Sequence, residues 1–516
     1  MQRVVAFVLT SVVAASSLHA QTGHPVYGRW GFDTTGIDRS VKPGDDFFSF
    51  VNGTWVKNTV IPVDKSVYSP RAAMSDNTEA RLRTIMEKAQ ARAGHAPTTD
   101  AGKVGAFYAS FMDSARIERL GAKPLAPVLR DIRAATTQRA LTALMGKSAT
   151  GFYGSAFGFG IDADLKHPDR YVVYLNQGGL TLPDRDYYLE PDMSKERAGF
   201  EAYVATMLTR LDWPDAAQRA KDVVALETRF AEVSWDRTQQ RDYTATYNPM
   251  TVQALSTMAP AFDWPGFLAN AGLRGESSVI VGEKSAFPKI AAVLAQTPVN
   301  VLQAWMAFGA TDLAAPYLSS PFVNASFVFR GTVLSGQQAQ SERWKRGVHA
   351  VSGGDYGAGG HFDRFGNIGW AVGTLYAAQY FPPAAKAKIV ALVNDLKAAY
   401  RVRIAALDWM SAATRTEALK KLDTYVIKVG YPDTPRDYSR VVIRDDDLVG
   451  NVERAAAADW AFYANRRHGP VDRSDWAMTP QTNDAYNGSL RDIVFPAGIL
   501  PALAAPRLRP SDEHAL

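Results

Sequence analysis

The segment NDAYNGSLRDIVFPAGIL, residues 483–500, decides how the rest of the chain is interpreted. Its DIVF run, from Asp492 to Phe495, has the short apolar pattern of a strand. After Leu500 the chain continues as PALAAPRLRPSDEHAL, which is rich in Ala, Pro, Leu and Arg and has no amphipathic period. The sequence therefore predicts a strand at this point, followed by a tail with no predicted element.

The first twenty residues, MQRVVAFVLTSVVAASSLHA, have the pattern of a secretory signal peptide. Arg3 is basic, the run from Val4 to Ala15 is apolar, and small residues precede Ala20. The apolar run is shorter than the roughly 20 residues that a membrane span needs, and we find no later run of that length without charges. We therefore predict cleavage after Ala20, a linker over residues 21–35, export to the periplasm, and no membrane span in the mature protein.

The composition narrows the possible partners and sites. The chain has no cysteine, which excludes disulfides, a thiolate metal site and a catalytic thiol. The formal net charge is +5, and residues of both signs are interleaved, so the sequence predicts no nucleic-acid partner. With 47% hydrophobic residues, including 11 Trp and 21 Tyr, most of the chain has the composition of an ordered globular protein.

Helical patterns dominate the chain. The clearest predicts a helix from Pro383 to Met410, because its apolar residues recur at helical spacing. These residues are Ile389, Leu392, Val393, Leu396, Tyr400, Ile404 and Leu407. Thr414 with Glu417, and Asp76 with Glu79, are spaced like the capping residues of two further helix starts.

Strand patterns are few and short. They fall at Arg170–Leu175, Ser278–Val281, Ser326–Phe329 and Asp492–Phe495. The predicted fold class is mainly α with small β elements (α+β).

Six stretches, in this order along the chain, resemble the neprilysin family of zinc metalloendopeptidases. They are GIDRSVKPGDDFFSFVNGTWVKNTVIP from Gly36, QGGLTLPDRDYYL from Gln177, RDYTATYNPMT from Arg241, LSGQQAQSERWKRGV from Leu334, LDWMSAATRTEALKKL from Leu407, and IVFPAGIL from Ile493.

The resemblance implies two lobes, a mainly helical lobe over a central chamber and a thermolysin-like catalytic lobe that holds zinc and cleaves oligopeptides. It implies that residues 36–475 form the N-terminal region, mostly helical lobe, with 36–62 packing against the catalytic lobe. Residues 476–500 would begin the catalytic lobe with a substrate-binding edge strand, and residues 501–516 match nothing in the family.

The family's chemistry uses an H-E-x-x-H helix, in which two His bind zinc and the Glu activates water. The chain contains no His-Glu pair, and no two of its 8 His are four residues apart. Zinc is therefore the cofactor that the resemblance implies for the intact family, whereas we predict no metal ligand and no catalytic residue in this chain. We expect an inactive product of a frameshift or truncation after Leu500, with the apolar residues of 493–500 lacking sheet and core partners. The alternative is a non-catalytic lobe that binds peptides or proteins.

The family's edge strand carries an Asn-Ala-aromatic-Tyr motif that pairs with the peptide substrate. Aligned backwards from IVFPAGIL, Asn483 takes the Asn position and Tyr486 the Tyr position, while Asp484 and Ala485 depart from the pattern. Asn483 and Asp484 are the predicted substrate-binding residues. The chain departs from the family pattern a second time, after the VIP that ends the first of the six stretches. There Tyr68-Ser69-Pro70-Arg71 replaces the family's Tyr-Gly-x-Phe.

Two other candidate sites are weaker. Asp45 and Asp46 are adjacent and point in different directions, so we predict Asp46 as a helix cap rather than as half of a catalytic pair. His349 precedes the Gly-rich segment 352–367, which is predicted to be a loop and contains His361 and Asp363; their spacing alone does not predict convergence on a metal.

Overall fold

The computed structural model describes residues 34–354, 366–488 and 490–500, and the chain divides into two compact units, before and after the Pro62–Val63 bond. In the first unit, α1 spans Phe47–Asn58. The Asp46 carboxylate accepts a hydrogen bond from the Ser49 backbone N–H at 2.9 Å, which confirms the predicted cap.

The second unit is mostly helical. Its helices are α2 (Pro70–Gln90), α3 (Asp100–Met112), α4 (Ser114–Leu120), α5 (Ala126–Ala134), α6 (Gln138–Leu144), α7 (Asp186–Leu189), α8 (Ser194–Arg210), α9 (Ala216–Val233), α10 (Arg237–Gln240), α11 (Val252–Met258), α12 (Trp264–Asn270), α13 (Phe287–Gln296), α14 (Val299–Ala314), α15 (Ser320–Ser326), α16 (Arg343–Ser352), α17 (Gly369–Tyr380), α18 (Pro383–Ala405), α19 (Ala412–Asp423) and α20 (Leu448–Arg466). The predicted mainly α fold class is confirmed.

Two small sheets complete the second unit. Their strands are β1 (Phe157–Ala163), β2 (Tyr171–Gln177), β3 (Asn248–Thr251), β4 (Ser278–Val281), β5 (Val426–Gly430), β6 (Tyr486–Asn487) and β7 (Asp492–Pro496). The first sheet has the order β1-β2-β4-β3, and the second has the order β5-β7-β6. In the second sheet β7 is parallel to β5 and antiparallel to β6.

Aromatic side chains fill the core around the first sheet. The Phe157 ring on β1 lies 4.9 Å from Phe262, 4.8 Å from Trp264 and 4.7 Å from Phe287, measured between ring centroids. All four side chains are buried. Such packing accounts for a large part of the stability of a helical body of this size.

A buried carboxylate, Glu227 on α9, anchors the QGGLTLPDRDYYL segment. Its oxygens accept hydrogen bonds from the Thr181 backbone N–H at 2.8 Å, the Tyr188 hydroxyl at 2.5 Å and Trp305 Nε1 at 2.9 Å. Burial raises the pKa of Glu227 to about 7, although these donors act in the opposite direction. The cluster therefore joins α9, α14 and the loop before α7 through one ionisable group.

Several predicted elements differ from the structure. Ser326–Phe329 is helical and not a strand, because it lies where α15 continues into a π-helical segment, Phe327–Val333. The capping residue of α19 is Ser411 and not Thr414, since the Ser411 hydroxyl accepts from the Thr414 N–H at 3.1 Å. The helix predicted near Asp76 begins earlier, at Pro70.

The helix α18 begins at Pro383 as predicted but ends at Ala405, before Met410. Its predicted apolar face is only partly covered. Ile389 and Val393 are buried, whereas Leu392, Leu396 and Tyr400 are 51%, 50% and 59% exposed. Helical periodicity predicted the helix, but it does not show how much of the apolar face the rest of the chain covers.

No single helix in the described parts of the chain has the length and apolar character of a membrane span. One bent pair, Phe287–Gln296 with Val299–Tyr317, meets both criteria when its two members are taken together.

Candidate functional site

The strand β7 is the centre of the second sheet. We expected residues 493–500 to lack sheet and core partners, and that expectation is wrong. β5 and β6, both from this chain, pair with β7 on either side, and Val494 and Leu500 are buried. The edge strand is therefore β6, which contains Tyr486.

A tight hairpin joins β6 to β7. The Arg491 N–H donates to the Gly488 carbonyl oxygen at 3.1 Å, and the Gly488 N–H donates to the Asp492 carbonyl oxygen at 3.4 Å. Arg491 adopts a left-handed φ of 54°, as residues at a hairpin bulge do. In an antiparallel strand, the main-chain groups of successive residues point alternately towards the partner strand and away from it. The main-chain groups of Tyr486 and Gly488 therefore point towards β7.

The outer edge of β6 faces the other way. By the same alternation, the main-chain N–H and C=O groups of Ala485 and Asn487 point away from β7. Among the described residues, no strand pairs with this edge. A free edge of this kind is a template for an added strand.

A buried ion pair fixes the sheet behind that edge. Lys428 Nζ on β5 lies 2.6 Å from Asp492 Oδ2 on β7, and the two side chains are 4% and 1% exposed. Asp492 Oδ1 accepts from the Gly488 N–H at 3.1 Å, and Lys428 also donates to the Asp475 carbonyl oxygen. One pair therefore connects β5, β7 and the turn of the hairpin.

Asn483, the first predicted substrate residue, lies just before β6 and is buried. Its side-chain Nδ2 donates to Thr78 Oγ1 on α2 at 3.0 Å and to the Gly498 carbonyl oxygen at 2.7 Å. Its Oδ1 is buried and has no hydrogen-bond partner among the described residues, which costs about 1–3 kcal/mol. The amide therefore joins the start of β6 to α2 and to the turn after β7, and its role towards substrate stays a prediction.

Asp484, the second predicted substrate residue, is held from two sides. Its Oδ2 accepts from a guanidinium nitrogen of Arg71 at 2.8 Å, and its Oδ1 accepts from the Ala485 N–H at 2.8 Å. Sequence reasoning did not identify Arg71 as its partner. A signal was present, since Asp484 and Arg71 both depart from the family pattern, and the two departures compensate each other in charge.

The chain crosses itself closely beside Asn483. The Gly498 N–H donates to the Pro480 carbonyl oxygen at 2.8 Å, and a Cβ on Gly498 would lie 2.3 Å from the Gln481 carbonyl oxygen, so a larger residue does not fit. The Gln481 side chain donates to the Ser352 and Gly369 carbonyl oxygens at 3.0 and 3.1 Å. The segment before β6 is thus fixed to α16 and α17.

The structure describes His349 and Asp46 among the other candidates from the sequence. His349 Nε2 lies 2.9 Å from Glu79 Oε1 in a contact between α16 and α2, while His361 and Asp363 lie outside the described residues. Asp46 serves as the cap of α1, as predicted.

One group of potential metal ligands occurs in the described parts of the chain. His95 Nδ1 lies 2.6 Å from Asp445 Oδ1 and 3.9 Å from Asp446 Oδ1. Arg116 already lies 3.2 Å from Asp446 Oδ2 and supplies positive charge to the group. The sequence did not reveal the group because His95 and Asp445 are 350 residues apart.

The residues present do not fit the zinc that the family implies. A catalytic zinc needs three converging protein ligands and an open position. The sequence has no H-E-x-x-H, and the His95 group combines one imidazole with two carboxylates, of which Asp446 is already paired with Arg116. We therefore assign no zinc ligand among the residues that the structure describes.

Comparison with known proteins identifies the family. The model of peptidase family M13 (Peptidase_M13_N) matches residues 43–432. Mouse endothelin-converting enzyme-like 1 is 29% identical over 496 residues, a match that covers 91% of this chain and 62% of the relative. Neprilysin-3 of Drosophila melanogaster is 27% identical over 500 residues, covering 90% of this chain and 61% of the relative. The chain thus spans about three fifths of the length of these relatives.

Solved structures agree with this result. The zinc metalloprotease Zmp1 of Mycobacterium tuberculosis, in complex with an inhibitor, superposes with a TM-score of 0.83 at 35% identity, covering 94% of this chain and 71% of that one. PepO from Lactobacillus rhamnosis shares the fold, with a TM-score of 0.76 at 24% identity, over 91% of this chain and 72% of PepO. Since the family model matches well over half of the residues, this chain belongs to peptidase family M13, the neprilysin-type zinc metallopeptidases.

Proposed function

We propose that this chain forms the helical lobe and the peptide-binding strand of a zinc metalloendopeptidase that acts on oligopeptides in the bacterial periplasm. The observation that carries the proposal is the outer edge of β6, where Ala485 and Asn487 direct main-chain groups away from the sheet. An extended peptide pairs with such an edge by β-strand addition. Membership of family M13 and the likeness to Zmp1 support the proposal that this edge belongs to a peptidase.

We further propose that these 516 residues do not hydrolyse peptides by themselves. Metal-assisted hydrolysis needs a bound metal that activates water and a general base beside it. The H-E-x-x-H helix that supplies both in the family does not occur in the sequence. The contribution of this chain is therefore to bind an extended peptide and to fix its register.

A second candidate function is that of a pseudo-peptidase, a lobe that binds peptides or proteins without cleaving them. The β5-β7-β6 sheet favours it, because the described strands of this chain by themselves form the binding edge. Mass spectrometry of the protein isolated from its native source separates the two functions. A co-purifying polypeptide that carries H-E-x-x-H favours the peptidase, and isolation without one favours the pseudo-peptidase.

The test of the main proposal uses purified protein beginning at Gln21. Zinc is measured by elemental analysis, cleavage by a quenched fluorescent peptide with and without a chelator, and binding by fluorescence anisotropy of a labelled ten-residue peptide. We expect saturable binding, no stoichiometric zinc and no chelator-sensitive cleavage. Zinc near one per chain with chelator-sensitive turnover would refute the proposed inactivity, and a folded protein that binds no peptide would refute the binding role.

A matched pair of variants tests whether β6 is the binding strand. Asn487→Pro removes the outward N–H, and a proline is tolerated on an edge strand. Asn487→Ala removes the same side chain but keeps the N–H. We expect peptide binding to weaken in the proline variant and to persist in the alanine variant, and equal loss in both would place the contact in the side chain.

The periplasmic location rests on the signal-peptide pattern of the first twenty residues. Osmotic-shock fractionation of the native cells, followed by N-terminal sequencing, tests it. We expect the protein in the periplasmic fraction with Gln21 as its first residue. Recovery in the cytoplasmic fraction with Met1 retained would contradict this location.

A further inference from the structure

An open cleft of about 670 Å³ lies beside the edge strand, between α19 and the β6–β7 hairpin. It is lined by Glu417, Lys420, Lys421, Thr424, Tyr425, Asn487, Gly488 and Arg491. The Asn487 side chain donates to the Tyr425 hydroxyl at 3.3 Å, so the strand and the wall of the cleft are connected. Nothing in the proposed function uses this cleft.

The cleft is positively charged. Three of its residues are basic, Lys420, Lys421 and Arg491, and one is acidic, Glu417. Lys420 Nζ lies 3.9 Å from Glu417 Oε2, but both side chains are 73% exposed, which makes their attraction weak.

The other two cations lack a counter-charge. Among the described residues, neither Lys421 nor Arg491 has a carboxylate oxygen within ion-pair distance. The nearest acid along α19, Asp423, is paired with Arg401. Behind the hairpin, Arg473 donates to the carbonyl oxygens of Thr424 and Leu490 and adds positive charge to the same side.

The cleft continues the free edge of β6. Asn487 belongs to both features, since its main chain faces outward from the sheet and its side chain lines the cleft. A peptide strand paired with Ala485 and Asn487 therefore passes directly into the basic cleft. An arginine and a lysine that are exposed and unpaired are suitable partners for a carboxylate at that point.

We propose that the cleft is a specificity site that selects peptides with an acidic side chain next to the segment paired with β6. The inference rests on the proposed peptide-binding function and adds a substrate class to it. Attraction between exposed charges is modest, so two cations give a preference of roughly three- to tenfold in Kd over a neutral peptide. It weakens with salt, because exposed charges are screened.

The experiment uses ten-residue peptides of Ser, Thr, Val and Ala with an uncharged dye and an amidated C-terminus, so that side chains are their only carboxylates. One peptide carries Glu-Glu at its C-terminal end, a second carries Glu-Glu near its N-terminus, and each has a Gln-Gln twin. Anisotropy at 50 and 300 mM NaCl gives Kd for the protein beginning at Gln21. We expect one of the two Glu peptides to bind three- to tenfold more tightly than its twin at low salt, and the preference to fall at high salt.

Variants locate the effect. Lys421→Gln with Arg491→Gln removes the unpaired cations and should abolish the preference for Glu while leaving Kd for the Gln peptides unchanged. Lys123→Gln with Lys195→Gln removes the same charge from exposed positions outside the cleft and should leave the preference intact. Thermal melting confirms that each variant is folded.

Equal binding of Glu and Gln peptides, or a Glu preference that survives the double variant, overturns the inference and leaves the proposed function standing. If the folded protein binds none of the four peptides, that result contradicts the proposed function itself and the inference with it.

Discussion

A guanidinium nitrogen of Arg71, in the first turn of α2, lies 2.8 Å from Asp484 Oδ2, although the two residues are 413 positions apart in the chain. The side chains are 57% and 34% exposed, so solvent screens their attraction. Their importance lies in geometry. Arg71 holds a carboxylate whose other oxygen accepts from the Ala485 N–H, one of the outward main-chain donors beside β6. The pair therefore keeps an edge donor occupied, as charged side chains do on protected edge strands.

Replacing Asp484 with Ala should make the edge more receptive to peptides. The change frees the Ala485 N–H, and one hydrogen bond of about 1 kcal/mol corresponds to a roughly fivefold lower Kd. Anisotropy with the Gln-Gln peptides measures the affinity, and hydrogen exchange of the Ala485 amide measures its release. Arg71→Gln is the control, because it removes the ion pair but keeps the carboxylate. Faster exchange without tighter binding would show that this donor does not take part in peptide binding.

Lys428→Met should destabilise the protein strongly. The substitution leaves the Asp492 carboxylate uncompensated at 1% exposure, and breaking a buried ion pair in this way costs about 3–5 kcal/mol. Urea unfolding measures the loss, and Lys428→Met with Asp492→Leu should recover much of it. The exposed Arg71–Asp484 pair is the comparison, since Arg71→Met should cost at most about 1 kcal/mol. Equal costs at the two sites would disprove the assigned role of burial.

Glu227 should make stability depend on pH in an unusual direction. Burial raises its pKa from 4.5 to about 7, so between these values the folded state holds a proton that the unfolded state has lost. The stabilising contribution of this proton to the free energy of unfolding is fully present below pH 4.5. It is lost as the pH rises through 7, a change of about 3 kcal/mol. Unfolding of wild type and Glu227→Gln at pH 5 and 8 isolates the effect. The free energy of unfolding of wild type minus that of Glu227→Gln should be more positive at pH 5 than at pH 8. The same value at both pH values would count against the assigned role of Glu227.

Asn483→Ala should reduce stability, because the side-chain amide joins Thr78 on α2 to the Gly498 carbonyl oxygen. Loss of these hydrogen bonds, with buried partners left behind, costs about 1–3 kcal/mol. Asn483→Asp should cost more, since it directs a carboxylate at a buried carbonyl oxygen. Chemical denaturation measures both variants. A variant of unchanged stability that loses peptide binding would instead establish Asn483 as a substrate contact.

The sequence predicted the features that local patterns determine. The Asp46 cap, the strand at Ser278–Val281 and the start of α18 follow from short-range chemistry, and the structure confirms them. Its prediction of Thr414 as the cap of α19 is wrong, because Ser411 and Thr414 both suit the position and Ser411 is the cap. A β-branched and aromatic run predicted a strand at Ser326–Phe329, where tertiary packing imposes a helix.

The candidate site was predictable only in part. Motif position indicated Asn483 and Asp484, but their partners Thr78 and Arg71 lie 405 and 413 residues away. The cleft residues Lys421 and Arg491 belong to separate elements, and one sequence gives no measure of contacts between them. Long-range pairing of this kind depends on the whole fold.

The close crossing at Gly498 has a consequence for how the hairpin tolerates changes in length. Because Gly498 and Gln481 are in backbone contact, the end of β7 is held in place, and a shift of one residue along the strand would turn its buried side chains outward. An inserted residue in the turn between Asn487 and Asp492, where a bulge already takes up one extra residue, is absorbed locally. The same insertion between Pro496 and Leu500 would have to separate the two crossing segments. Length variation should therefore be accommodated at the turn and excluded at the crossing.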